Sequence, residues 1–301
     1  MNRNAITKTL PCLWIVILFS ACKAQDHSAE TMSDCSSLAK TPVLFVHGSG
    51  LSSGSFDILS DTFIRNAYPP AYVLTINMVP NDGDNVSAAE SFISPGAKRL
   101  LERSRRLFGR SNCNGNPPDR IDIVAHSMGA FSARWYARFV APETVQTIVT
   151  IAGANHGTDA LCRRPGSGDQ QMCPAYDYGS SGNRNVQAKL NGTADAPLDE
   201  TPWGAGRDSA ATASLPPDET RRIRYLTIRI EPDEWIIPSE SALLDGADKW
   251  SFDNLERYRL RETSPGNLLF YGTSTHDGLL ANSELIQFLV IVLALPWPDA
   301  M

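Results

Sequence analysis

Ile121-Asp122-Ile123-Val124-Ala125-His126-Ser127-Met128-Gly129 is the stretch on which the fold turns. Four apolar or alternating residues form a strand, and Ala130-Phe131-Ser132-Ala133-Arg134-Trp135-Tyr136 continues as a helix. Between them Ser127 stands two residues after Ala125 and two before Gly129. Small residues at those offsets let a strained strand-to-helix turn pack closely while the serine hydroxyl is held above the end of the sheet. Ala125 takes the place where a glycine is usual. A five-residue match alone is weak, but a strand before it and a helix after it supply the context that gives it meaning.

Outward from this turn the chain alternates strands and helices. Val43-Leu44-Phe45-Val46 is a short continuous apolar run ending at His47-Gly48-Ser49-Gly50, as a buried parallel strand opening into a loop would. Further strands are expected at 72–76, 121–125, 145–151, 223–230 and 268–271, with helices over 56–67, 88–108, 128–139 and 285–295. Pro95-Gly96 marks a break or late start in the second helix. That order predicts an α/β fold with a mostly parallel sheet and helices on both faces. Residues 158–221 break the alternation. They hold seven Gly and six Pro among 64 positions without a sustained period, and read as an inserted lid-like segment anchored by Tyr176, Tyr178 and Trp203.

A serine hydroxyl needs a base before it can act as a nucleophile. Five histidines are available. His27 lies before the first strand, His47 in the His-Gly turn and His126 inside the elbow. In the chain order nucleophile, acid, base, only His276 is late enough to leave an acid-bearing strand between; His156 is its rival. The acid is expected after the strand ending near Ile230, where Glu231-Pro232-Asp233-Glu234 offers three carboxylates. Asp233 is the choice, with Glu234 as the alternative. Its task is to accept a hydrogen bond from the histidine Nδ1 and stabilise the imidazolium. Two fixed donors for an oxyanion are expected from the backbone N–H groups of Ser49 and Met128.

Thr41 to Gly48, Asp122 to Gly129 and Asp233-Glu234-Trp235-Ile236-Ile237-Pro238 together resemble the small bacterial lipases of the α/β-hydrolase superfamily that carry Ala in the elbow. They also resemble the extracellular polyhydroxybutyrate depolymerases with an A-H-S-M-G lipase box. The resemblance covers about residues 41–157 and 222–295. It implies an α/β-hydrolase fold, a triad of Ser127, Asp233 and His276, and carboxylic-ester substrates, lipid or polymeric. An acyltransferase using the same acyl-enzyme is a weaker possibility. Insertion 158–221 departs from the minimal lipase pattern and is where substrate preference is expected to be decided.

The ends and the composition set the setting. Arg3 and Lys8 precede the apolar run 13–19, then Ser20, Ala21 and Cys22. This is the layout of a secretory signal over 1–21, followed by a linker over 22–40 and the hydrolase domain over 41–301. Cys22 resembles the lipidated first residue of a bacterial lipoprotein, which would attach the chain to a membrane of the cell envelope; Phe19 in place of the usual Leu leaves free secretion open. Export makes disulfides the expected state of Cys35, Cys113, Cys162 and Cys173. Of three possible pairings, Cys162 with Cys173 closes a short loop and is the simplest, leaving Cys35 with Cys113. The net charge of −6 becomes −8 once Arg3 and Lys8 are removed from the 27 basic residues that face 33 acidic ones. That excludes a nucleic-acid binder built on net charge. No phosphate-binding loop, dinucleotide fingerprint, H-E-x-x-H or EF-hand loop occurs, so neither a cofactor nor a metal is expected. The reading from another class is a catalytically inactive binding lipoprotein of the envelope.

Overall fold

The computed structural model describes residues 35–177, 185–193, 197–204, 222–247, 250 and 252–294. The expected signal over 1–21 and the lipidation candidate Cys22 lie outside them. Seven strands form one sheet: β1 (Val43–Val46), β2 (Val73–Thr75), β3 (Ile121–His126), β4 (Val145–Ile151), β5 (Arg224–Ile230), β6 (Leu260–Ser264) and β7 (Asn267–Phe270). Their order is β2-β1-β3-β4-β5-β7-β6, and every pairing is parallel except β6 with β7. The helices in chain order are α1 (Cys35–Leu38), α2 (Asp57–Arg65), α3 (Asn85–Ala88), α4 (Ser94–Gly109), α5 (Gly129–Trp135), α6 (Ser167–Gln171), α7 (Val186–Asn191) and α8 (Ser283–Ala294). None of the described helices is long and apolar enough to cross a membrane.

The period-2 geometry of a strand sorts the sheet's side chains onto two faces. Leu44, Val46, Ile123, Ala125 and Ile148 point into one core, shared with Leu100 of α4 and Phe131 of α5. Val43, Phe45, Val124, Val149, Leu226 and Ile228 point into the other, shared with Leu59 and Phe63 of α2 and Leu289 of α8. Both faces are covered, which is why the central strands read as unbroken apolar runs.

The expected helix over 88–108 is split. α3 passes through a π-helical turn at Ala89–Ile93 into α4, whose second residue is Pro95. Pro95 has no N–H to donate, and the wider π turn immediately before it is where the regular helical ladder is already interrupted. β6 was not among the expected strands. Only Leu260 of its five residues is buried, so it carries no apolar run.

The segment after β4 is tied down by polar contacts. Asn85 donates through Nδ2 to Gln171 Oε1 (2.9 Å) and to the Gly168 carbonyl (3.2 Å), while Ser132 of α5 donates to Asn85 Oδ1 (2.8 Å). Buried amides with complete partners fix one arrangement of α3, α5 and α6. Arg134 does the same further along, donating to the Asn155 carbonyl (2.8 Å), Asn191 Oδ1 (2.7 Å) and the Glu200 carbonyl (3.1 Å). Disulfides join Cys162 to Cys173 and Cys35 to Cys113, with Cα atoms 5.1 and 5.5 Å apart.

Candidate active site

Ser127 occupies the turn between β3 and α5 with φ of +53°, a left-handed conformation that few non-glycine residues adopt. Its backbone is held on three sides. Its N–H donates to the Ile151 carbonyl (3.1 Å), and its own carbonyl accepts from Ala130 (3.1 Å) and Ala154 (3.2 Å). Glycines make the turn possible. A Cβ on Gly129 would stand 2.5 Å from the His47 carbonyl oxygen and 2.6 Å from that of Val46, and one on Gly48 would stand 2.6 Å from Ser127 Cβ. Only residues without a Cβ let the loop after β1 and the elbow after β3 lie this close.

His276 starts a 3-10 turn (Asp277–Ala281) beyond β7 and is buried. Its Nδ1 lies 3.0 and 2.9 Å from the two carboxylate oxygens of Asp233. Asp233 Oδ1 also accepts from the backbone N–H groups of Trp235 (2.8 Å) and Ile236 (2.9 Å), which lock its rotamer. With Nδ1–H donating to Asp233, the Nε2 lone pair is the free one. Glu234 meets the same residue differently: its Oε1 accepts from the His276 backbone N–H (3.0 Å). The two neighbouring carboxylates thus hold His276 at the ring and at the main chain.

Ser127 and His276 line one cavity of about 160 Å³, with Ser49, Gly50, Leu51, Leu161, Arg164, Trp235 and Asp277. No hydrogen bond joins the two side chains, a looseness common before substrate binds. The N–H groups of Ser49 and Met128 are taken by no other described group, as donors for an incoming oxyanion must be. His47 braces this loop. Its Nδ1 donates to the Gly48 carbonyl (2.9 Å) and its Nε2 accepts from the Met78 N–H (2.9 Å). That pattern requires a neutral ring, and burial pushes its pKa down.

His156 lies elsewhere. Its Nε2 is 2.7 Å from Glu200 Oε1 and its ring stacks on Tyr176 at 5.1 Å, away from the Ser127 cavity. Two features escaped the sequence. His126 packs its ring 4.5 Å from that of His276 and places Nε2 3.2 Å from the His276 carbonyl. Burial and the neighbouring His276 hold its pKa well below the usual range, so no second positive charge forms beside the candidate base. Leu161 and Arg164 on the cavity wall gave no motif, and Trp235 was read only as part of the stretch around Asp233. Among the described residues the one group of three with metal-ligand chemistry is His126, His276 and Asp277, which belongs to this same site.

The comparisons with known proteins follow the geometry. No curated protein matches the sequence. Aspergillus fumigatus lipase B is similar in fold at a TM-score of 0.53 and 18% identity; the match covers 89% of this chain and 55% of the fungal one, so the chain spans about half that protein's length. The mature form of Bacillus licheniformis lipase BlEst2 is similar at a TM-score of 0.48 and 15% identity over 86% of this chain and 93% of that one. The profile of the class 2 lipases matches residues 40–191, about half of the sequence and the half that holds the elbow. The chain belongs to the class 2 lipase family, with the α/β-hydrolase fold.

Proposed function

We propose that this protein is a serine hydrolase that cleaves carboxylic esters through an acyl-enzyme on Ser127. The observation that carries the reading is the join of Asp233 to His276 Nδ1 on the wall of the cavity into which the positive-φ Ser127 opens. Ser127 Oγ attacks the ester carbonyl while His276 Nε2 takes its proton. The tetrahedral oxyanion is received by the N–H groups of Ser49 and Met128. His276 returns the proton to the departing alkoxide, which leaves as the alcohol; water, deprotonated by the same nitrogen, then releases the acid and restores Ser127. Asp233 remains an ion and stabilises the imidazolium.

Acyl esters of lipid type are the favoured substrates, on the strength of the family. The cavity is smaller than the roughly 300–1,000 Å³ of typical ligand pockets, which suits the reacting end of an ester rather than a whole long chain. Two disulfides support folding in an oxidising compartment and hence export. Attachment through Cys22 rests on the sequence alone.

The experiment is labelling with a fluorophosphonate probe, with Ser127→Ala in parallel. Labelling of the parent chain and none of the variant is expected. A folded parent that stays unlabelled with and without detergent overturns the reading and favours a binding protein.

A further inference from the structure

One residue on the cavity wall is a cation. Arg164 ends a turn in which its N–H donates to the Leu161 carbonyl (2.9 Å). The Gln170 side-chain amide donates to the carbonyls of both Cys162 and Arg164, and Cys162 is bonded to Cys173. The Arg164 guanidinium lies over the Trp235 ring, 5.3 Å from its centroid. The main chain that carries this ring is fixed in turn: the Trp235 backbone N–H donates to Asp233 Oδ1 (2.8 Å), and its carbonyl accepts from Thr158 Oγ1 (2.6 Å). A stapled turn and an aromatic ring on a hydrogen-bonded loop therefore present one guanidinium on the wall of the cavity that Ser127 also lines.

Its charge has no carboxylate partner within ion-pair distance among the described residues. Two carboxylates lie nearby. Asp169 is buried, which raises its pKa, and the Arg164 charge acts on it in the opposite sense without an ion-pair contact. Asp277 is half exposed and faces His126 Nε2 at 3.9 Å. Neither occupies the five N–H donors of the fork, which match the oxygens of a carboxylate or phosphate in pairs. The cation–π contact with Trp235 restricts the fork in advance, so less freedom is lost when an anion arrives. The chain as a whole is acidic, at a net charge of −6, so attraction of an anion here is local rather than general.

We infer that Arg164, held over Trp235 at the edge of the Ser127 cavity, binds an anionic oxyacid group, phosphate or carboxylate, carried by the ester substrate near its scissile carbonyl. This rests on the assignment of Ser127 as nucleophile. It defines the substrate class as anionic esters, with the segment after β4 supplying the discrimination.

The test is a ratio of kcat/KM values for an anionic and a neutral ester, measured on the whole protein. One pair is mono-4-nitrophenyl glutarate against 4-nitrophenyl valerate. The other is phosphatidylglycerol against diacylglycerol, which has the same acyl esters and no phosphate, each diluted in the same nonionic detergent micelles. Arg164→Gln is expected to lower the anionic-to-neutral ratio about tenfold, the scale of one charge-assisted hydrogen bond. Arg164→Glu should lower it further, and Arg164→Lys should keep part of it. Arg163→Gln, an exposed arginine outside the cavity wall, should keep the parent ratio. A shift in the first pair alone identifies a carboxylate, and in the second alone a phosphate. Equal loss on both members of a pair makes Arg164 a merely structural support for Trp235 and overturns the inference, as does an equal drop in Arg163→Gln. Neutral-ester turnover that disappears in Ser127→Ala while Arg164→Gln leaves the ratio unchanged refutes the anion site alone. Turnover that survives Ser127→Ala refutes the nucleophile and the anion site with it.

Discussion

Gly129→Ala tests whether the approach of two backbones, and not the catalytic side chains alone, sets the activity. The added Cβ would stand 2.5 Å from the His47 oxygen and 2.6 Å from the Val46 oxygen, so at least about 0.5 Å of separation must open to reach the 3.0 Å below which real Cβ atoms essentially never lie. Val46 cannot yield freely, because β1 is paired in register with β3 through Val46 and Ala125. The displacement must then fall on residues 47–49, which carry the Ser49 N–H, or on the turn that carries Ser127. Overpacking of this kind costs about 2 kcal/mol and lowers Tm by roughly 4–8 °C. A donor or nucleophile moved by a good part of an ångström loses on the order of 10- to 100-fold in rate. The assay is kcat on a soluble 4-nitrophenyl ester, normalised to active sites titrated with a fluorophosphonate. Gly109→Ala is the control, since its Cβ would meet nothing within 4 Å. If Gly129→Ala keeps the parent kcat per titrated site, the close approach has no part in positioning the reaction and the reasoning fails.

Three further outcomes are expected. Asp233→Asn removes the carboxylate from His276 Nδ1 and should reduce kcat/KM by on the order of 10⁴, whereas Glu234→Gln, which retains an oxygen for the His276 N–H, should lose about tenfold or less; the reverse order would assign the acid to Glu234. In stability, losing Cys35–Cys113, with a sequence separation of 78, should cost about 4–5 kcal/mol, and losing Cys162–Cys173, with a separation of 11, about 3 kcal/mol, as read by calorimetry of the paired Cys→Ser variants. Asp122 is fully buried on β3 and its pKa is raised by burial from 3.8 to about 6; the folded state binds its proton more tightly than the unfolded state, so wild-type stability falls as pH rises from about 4 through about 6. Asp122→Asn lacks that loss, and the difference in Tm between variant and parent should move in the variant's favour over that window; a constant difference contradicts it.

The elbow, the order of the first five strands and the candidates Ser127, Asp233 and His276 were all legible because each is signalled locally. β3 is an apolar run, Ser127 has its small neighbours, and Asp233 and His276 follow strands that can be read. β6 was not legible, since an antiparallel edge strand whose side chains face solvent has neither an apolar run nor alternation. The order after β4 was hidden for another reason. Contacts such as Asn85 with Gln171 or Arg134 with Asn191 join polar residues 86 and 57 positions apart, and no periodicity announces them. Glu234 was legible as an acid but not as a partner of the His276 main chain, because its use depends on which way one loop faces another.

The hairpin of β6 and β7 settles how the sheet meets solvent. All four residues of β7, Asn267–Phe270, are buried, and without β6 this strand would end the sheet as an open row of N–H and C=O groups beside an apolar surface. The turn at Pro265-Gly266, with Gly266 at φ of +67°, folds the preceding strand back across that row. What then faces outward is Arg261, Glu262 and Thr263, a poor template for a strand from a second molecule. The opposite edge is β2, only three residues long. The sheet is therefore guarded at both margins against polymerising with copies of the same chain, and damage to the hairpin would show first as aggregation rather than as a change at the Ser127 cavity.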